Sequence, residues 1–304
     1  MTSASVLDSI PETSISTRVS RRGDYVIQVA AAWRDVEAVW SGCPPEAFLT
    51  PFQSADWLGA WYGAVGARHD VEPVIVLARE AAGGELALAL PLVRRQHGRL
   101  FRIEFADLGV TDYNAPVLGS KLPNDASGFL RLWREIRGAL PSADLLSLDK
   151  MPLEARGRVN PLAEHLRASR STLSGNVLHV PGSWDTWRRS LDRPVRKEIE
   201  RSWRVFLKHE SAAFRVIEDA GDAERVLVHL ARLQAARVRD QGLPYLLDEP
   251  AYDRFYRELL AVGLPTGRVV LTALTVGKEV VAALLGLVDG KTYAMVRLGQ
   301  ASGT

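Results

Sequence analysis

One order of hydrophobic periods runs through this chain twice, and it limits the available folds more than any single residue does. In each half a short apolar stretch is followed by two segments of helical period, then by three consecutive strand-like segments joined by tight turns. The spacing predicts a strand over residues 25–30, helices over 31–41 and 55–65, and strands over 71–80, 85–95 and 100–106. Trp33, Val36, Val39 and Trp40 recur at helical spacing, and Pro44 and Pro45 end that segment. Ser54 is placed to cap the second helix, where Trp57, Leu58, Trp61 and Val65 share one face and read as core. Ala81-Ala82-Gly83-Gly84 is the first hairpin turn. In the second half the same order predicts a strand over 213–219, helices over 223–241 and 249–262, and strands over 268–275, 279–288 and 292–298. Gly242 stops the long helix, as a left-handed cap would.

The first half then continues. Residues 107–124 read as a loop, and Phe129, Leu132, Trp133 and Ile136 mark a helix. Residues 144–150 read as a strand, 161–168 as a short helix and 172–180 as a last strand. A basic, mostly helical stretch over 183–209, interrupted at Pro194, opens the second half. The expected fold class is α+β with mixed sheets, in two domains of one pattern. Residues 1–20, rich in Ser and Thr, are expected to be a disordered lead-in, with domains over 21–180 and 181–304.

Composition removes several function classes. With 47% apolar and 24% charged residues, the chain can build full cores. A net charge of +2 gives no whole-molecule attraction to nucleic acid. The single cysteine, Cys43, can form no internal disulfide, and none of the six histidines has metal-ligand spacing, so no metal is expected. A Walker loop and a Gly-x-Ser-x-Gly elbow are both lacking. No apolar run is long enough for a membrane span and no secretion signal opens the chain, so the cytoplasm is the expected location.

Particular stretches add to the pattern. "TPFQSADWLGAWYGAVG" (50–66), "EPVIVLARE", "LALPLVRR" and "FADLGVTDYNAPVLG" (105–119) occur in that order. They resemble the first half of the CelD-type proteins, GNAT-like acyltransferases of cellulose and exopolysaccharide biosynthesis loci. "RPVRKEIERSWRVF" (193–206), "LARLQAARVRDQG" (230–242) and "EVVAALLGLVDGKTYAMVRLG" (279–299) resemble the opening of their second GNAT domain. That domain is also similar to the Fem-type aminoacyl transferases. The resemblance implies tandem acyl-CoA N-acyltransferase (GNAT-like) domains. It also implies transfer of an acetyl or other acyl group from coenzyme A to an amine of a sugar or small metabolite, in polysaccharide or envelope biosynthesis. Acetyl-CoA or another acyl-CoA is then the co-substrate and a sugar or small-molecule amine the acceptor, with polysaccharide-biosynthesis proteins as partners. A catalytically degenerate accessory protein and a Fem-type aminoacyl transferase are the alternatives.

Two departures accompany the resemblance. The first half has "GVTDYNAPVLGSKLP" where a Gly-rich pyrophosphate loop would stand, and is expected to be a non-catalytic copy shaping the acceptor cleft. In the second half that loop would begin after Gly299, so the second domain is expected to be incomplete, either as a fragment or as a degenerate relative. The resemblance assigns Arg297, Leu298 and Gly299 to the cofactor, through pairing of the strand backbone with the pantetheine. Candidate acceptor residues are Asp112 and Tyr113 in a loop at a strand end, Arg196 and Arg201 in the basic stretch, and Arg237 and Arg239 at the end of the long helix. Each has an ordinary structural reading: a turn aspartate and a covering tyrosine, a solvated helix face, and cations suited to a helix dipole. Glu104 and Asp107 form a carboxylate pair that nothing else in the sequence supports as catalytic.

Overall fold

The computed structural model describes residues 17–301 apart from 167, 173 and 181. It divides into two compact units, Met1–Leu166 and Arg167–Thr304.

In the first unit, β1 (Arg18–Arg22) and β2 (Tyr25–Ala30) form a hairpin. A 3-10 turn (Trp33–Asp35), α1 (Glu37–Ser41) and α2 (Ala55–Ala64) follow. The meander is β3 (Glu72–Glu80), β4 (Leu86–His97) and β5 (Leu100–Phe105). Then come β6 (Val117–Leu118), α3 (Ala126–Ala139), β7 (Leu145–Ser147), a small hairpin of β8 (Glu154–Ala155) and β9 (Arg158–Val159), and α4 (Pro161–His165). The main sheet runs β1-β2-β3-β4-β5-β7, with β6 on β4; it is antiparallel except for the β5–β7 pair.

All five residues from Val74 to Ala78 are buried, so both faces of β3 are covered. Val74, Val76 and Ala78 join a cluster with Phe129, Leu132 and Ile136 of α3. Ile75 and Leu77 face the other way. On α2, Trp57 and Trp61 are fully buried, and Tyr62 Oη donates to the Leu92 carbonyl of β4 at 2.9 Å. Burial raises the Tyr62 pKa well above the ordinary phenol value, so this donor keeps its proton. Ser54 caps α2 as anticipated, accepting from the Trp57 amide at 3.4 Å. Ser54→Ala is expected to cost about 1 kcal/mol in urea unfolding, the usual worth of such a cap.

Three expectations need correction here. The helix expected over 31–41 is broken at Val36, which is buried at φ −129°. Trp33 stacks on Tyr62 at 5.7 Å while Trp40 Nε1 donates to the Gln53 carbonyl at 2.8 Å, and one continuous helix was not needed to place them. The expected lead-in over 1–20 overlaps β1, whose five residues all pair with β2; residues 1–16 lie outside the described residues. The strand expected over 172–180 does not form among its described residues. Val177, Leu178 and Val180 are exposed and no neighbouring strand supplies a ladder, without which an apolar run cannot hold strand geometry.

The second unit opens with α5 (Trp184–Ser190) and α6 (Arg193–Phe206). The break between them precedes Pro194, which occupies the first turn of α6, where its missing N–H costs nothing. Then follow β10 (Ala212–Ile217), α7 (Ala220–Asp240), α8 (Pro250–Gly263), β11 (Val269–Val276), β12 (Glu279–Asp289) and β13 (Thr292–Gln300). The four strands make an antiparallel sheet in chain order. α7 packs on β12 and β13, and α8 on β11. β11 alternates buried and half-buried residues along its whole length, the signature of a sheet with one covered face.

Candidate functional site

The second unit builds its candidate site on β13. Simple alternation along Thr292–Gln300 would turn Val296 and Leu298 to the same side. The ladder with β12 interrupts that alternation: Arg297 pairs with Leu285 and Met295 with Gly286, leaving Val296 without a partner. This bulge turns Arg297 and Gly299 toward the helices and Leu298 out, where it is 41% exposed. Gly299 lies so close to α7 that a β-carbon there would meet Leu230 and Leu233 at 3.0 Å.

Arg297 is therefore buried, at 4% exposure. Its Nε donates to Gln234 Oε1 at 2.8 Å and its Nη2 to Tyr245 Oη at 2.9 Å. Its guanidinium lies 4.4 Å from the centre of the Tyr256 ring. Tyr245 Oη in turn donates to Gln234 Oε1 at 3.2 Å, and Gln234 Nε2 donates to the Leu298 carbonyl at 3.2 Å. Burial raises the Tyr245 pKa, the Arg297 charge and hydrogen bond pull it back, and Asp248 and Asp253 raise it further, so the hydroxyl stays protonated. Among the described residues no carboxylate forms an ion pair with Arg297, and its Nη1 is buried without a hydrogen-bond partner. Leaving one donor of a buried cation unmatched costs free energy.

The other sequence candidates of this unit fall around the cluster unequally. Arg239 is exposed and pairs with Asp248 at 2.6 Å, tying the end of α7 to the segment that carries Tyr245. Arg237 is exposed and makes no hydrogen bond or ion pair among the described residues. Arg196 and Arg201 lie on α6; Arg196 Nη1 donates to the Arg189 carbonyl at 3.5 Å and Arg201 pairs with Glu198 at 3.4 Å. Neither bond leads to the Arg297 cluster. Sequence reading passed over Gln234, Tyr245 and Tyr256. The available signal was the arginine itself, in a strand whose other residues are uncharged.

In the first unit, Asp112 and Tyr113 sit in a loop organised by Asp107. Asp107 accepts from the Gly109 and Thr111 amides at 3.0 and 3.1 Å, from Asn114 Nδ2 at 3.1 Å, and pairs with Lys150 Nζ at 2.9 Å. Lys150 also donates to the Thr111 carbonyl at 2.9 Å. The Tyr113 carbonyl accepts from Gln53 Nε2 at 2.9 Å, and its ring lies 6.2 Å from Phe52. Asp112 projects to solvent from this tied loop, yet surrounding protein raises its pKa; the Lys150 charge opposes that shift and Asp107 adds to it. Asp107, read from sequence only as half of a carboxylate pair, is thus the anchor of the loop, while Glu104 pairs with Arg95, Arg102 and His97.

Among the described residues, no group of three or more His, Cys, Asp or Glu side chains could hold a metal ion, and no helix is long and apolar enough to cross a membrane. Burial raises the Cys43 thiol, which disfavours it as a nucleophile. No match was found among curated proteins. Among solved structures the chain is similar to a conserved protein of unknown function from Bacteroides thetaiotaomicron VPI-5482. The identity is 12%, the TM-score 0.41, and the likeness covers 90% of this chain and 79% of that one. Residues 193–300, the part that holds α6, the meander and the Arg297 cluster, match the model of the acetyltransferase (GNAT) domain.

Proposed function

We propose that this protein is an N-acyltransferase that moves an acetyl or other acyl group from an acyl-CoA thioester to an amine of a sugar or small metabolite. The observation that carries the reading is the bulge in β13, which turns Arg297 inward onto Gln234 and Tyr245 within the segment that matches the GNAT model. Among the described residues β13 has a strand on one side only, so its other edge can pair with the amides of a pantetheine arm. In the reaction the amine nitrogen attacks the thioester carbonyl and the C–S bond breaks. The amide product and free thiol form, and the proton lost by the amine ends on the sulfur. Such chemistry needs mainly positioning and donors for the developing oxyanion.

Tyr245 and Arg239, on and beside the segment that follows α7, are assigned to the acceptor side, with Arg297 beneath them. Asp112 and Tyr113 are carried as the acceptor candidates of the first unit taken by itself. The CelD-type resemblance supports an acceptor of polysaccharide or envelope biosynthesis, met in the cytoplasm beside other proteins of that pathway. The test is thermal unfolding of the natural gene product with and without acetyl-CoA. Saturating ligand is expected to raise the midpoint by several degrees, since binding at about 100 times Kd adds about 2.7 kcal/mol. A well-folded protein that shows no shift at millimolar acetyl-CoA overturns the proposal and favours an accessory binding protein.

A further inference from the structure

α6 is a 14-residue helix with no buried residue. Five cations and two anions lie on it. At about 100° per residue, Arg193, Lys197, Arg201 and Arg204 fall within an arc of roughly 80°. Val195, Ile199, Trp203 and Phe206 fall within another arc of about the same width on roughly the opposite side. The apolar arc is open: Val195 is 49% exposed, Ile199 37% and Trp203 46%. The helix is tied to the fold through α5, by the Arg188–Glu200 ion pair at 3.6 Å and the bond from Arg196 to the Arg189 carbonyl. Trp184 on α5 is 58% exposed, and its ring lies 4.8 Å from that of Trp187, tilted by 37°.

An exposed apolar arc on a helix this short costs free energy in water unless something covers it. The nature of the cover follows from how charge and apolar surface are divided. A nucleic-acid surface would mix aromatics with the cations, so that bases stack where phosphates are held. Here four of the five cations lie opposite the apolar arc, and Arg196, which flanks it, is bonded to the Arg189 carbonyl. A helix of low average hydrophobicity with Trp and branched aliphatics on one arc and Arg and Lys on the other suits the plane of an anionic bilayer. Its apolar arc sinks among the upper acyl chains, and the long basic side chains reach sideways to the headgroups. We infer that α6 docks the protein peripherally on an anionic membrane surface. Trp203, Ile199 and Val195 are the inserted residues, and Arg193, Lys197, Arg201 and Arg204 the headgroup contacts. This attachment requires no membrane span and is independent of the acyltransferase reading.

The test is co-sedimentation of the intact protein with sucrose-loaded vesicles of phosphatidylcholine alone or with one quarter phosphatidylglycerol. Binding to the anionic vesicles is expected to exceed binding to the neutral ones by at least ~10-fold, and to weaken as salt rises, because each basic residue near the surface adds to the attraction. Lys197→Glu/Arg201→Glu and, separately, Ile199→Glu/Trp203→Glu are each expected to lose ~10-fold or more, with circular dichroism and the melting midpoint unchanged. Absent or equal binding to the two vesicle types overturns the inference. So does a melting midpoint lowered by several degrees in Ile199→Glu/Trp203→Glu, which would show that the arc packs within the protein. Binding that survives Ile199→Glu/Trp203→Glu but is abolished by competing heparin also overturns it, because the helix would then hold polyanions by charge alone.

Discussion

Trp61→Ala is expected to remove about 3–5 kcal/mol from the stability of the first unit, measured by urea unfolding. Trp61 is fully buried in α2, its ring lies 5.1 Å from that of Tyr62, and its Nε1 donates to the Asp107 carbonyl at 3.2 Å. Truncation would leave a cavity among aromatic rings that cannot close on it, and would leave that carbonyl without its partner. Set against a total of about 5–15 kcal/mol for a domain, the loss brings the unit near its unfolding threshold. Trp61→Phe keeps most of the packing and gives up the hydrogen bond, and should cost about 1–2 kcal/mol. Equal losses for the two variants would show that the bond to the Asp107 loop, rather than the ring, carries the stability.

The second large effect is expected at Arg297. Arg297→Ala should lower kcat/KM for acyl transfer by about 10²-fold, the usual scale for losing one oxyanion or positioning donor. The variant leaves Gln234 Oε1 and Tyr245 Oη without their charged partner and frees the segment that Arg239 and Asp248 hold from the other side. Arg297→Lys should not restore activity, because an ammonium cannot serve Gln234, Tyr245 and a third acceptor from one planar fork. Tyr245→Phe should lose less, about 3–10-fold, since only one of the two bonds to Arg297 goes. The deciding readout is the pair of kinetic constants. A raised KM for the amine with kcat unchanged assigns the cluster to binding, and a fall in kcat assigns it to the chemical step. Unchanged kinetics in Arg297→Ala would make the cluster a packing device.

The sequence made the strands and helices of both meanders legible, because hydrophobic period is a local property. The Ser54 cap, the turns at Gly277 and Gly290 and the three closing strands all stand close to where the spacing puts them. Legibility failed where partners distant in sequence decide. β1 is mostly polar yet holds strand geometry because β2 pairs with it, whereas the described residues of 172–180, with Val177, Leu178 and Val180, find no ladder. Asp107 looked like one of two nearby carboxylates, and its role as loop anchor depends on Lys150, 43 residues away.

What the sequence determined by itself is the order of elements and the identity of the charged residues over 193–300, including an arginine near the end of the last described strand. Only the tertiary structure decided which way that arginine points. Alternation with period two would have sent it to solvent, whereas one unpaired residue at Val296 turned it inward. There it meets Gln234, from 63 residues earlier, and Tyr245, from 52 residues earlier. A bulge is set by the register of two strands and by the helix packed across them, and neither is a property of the local sequence.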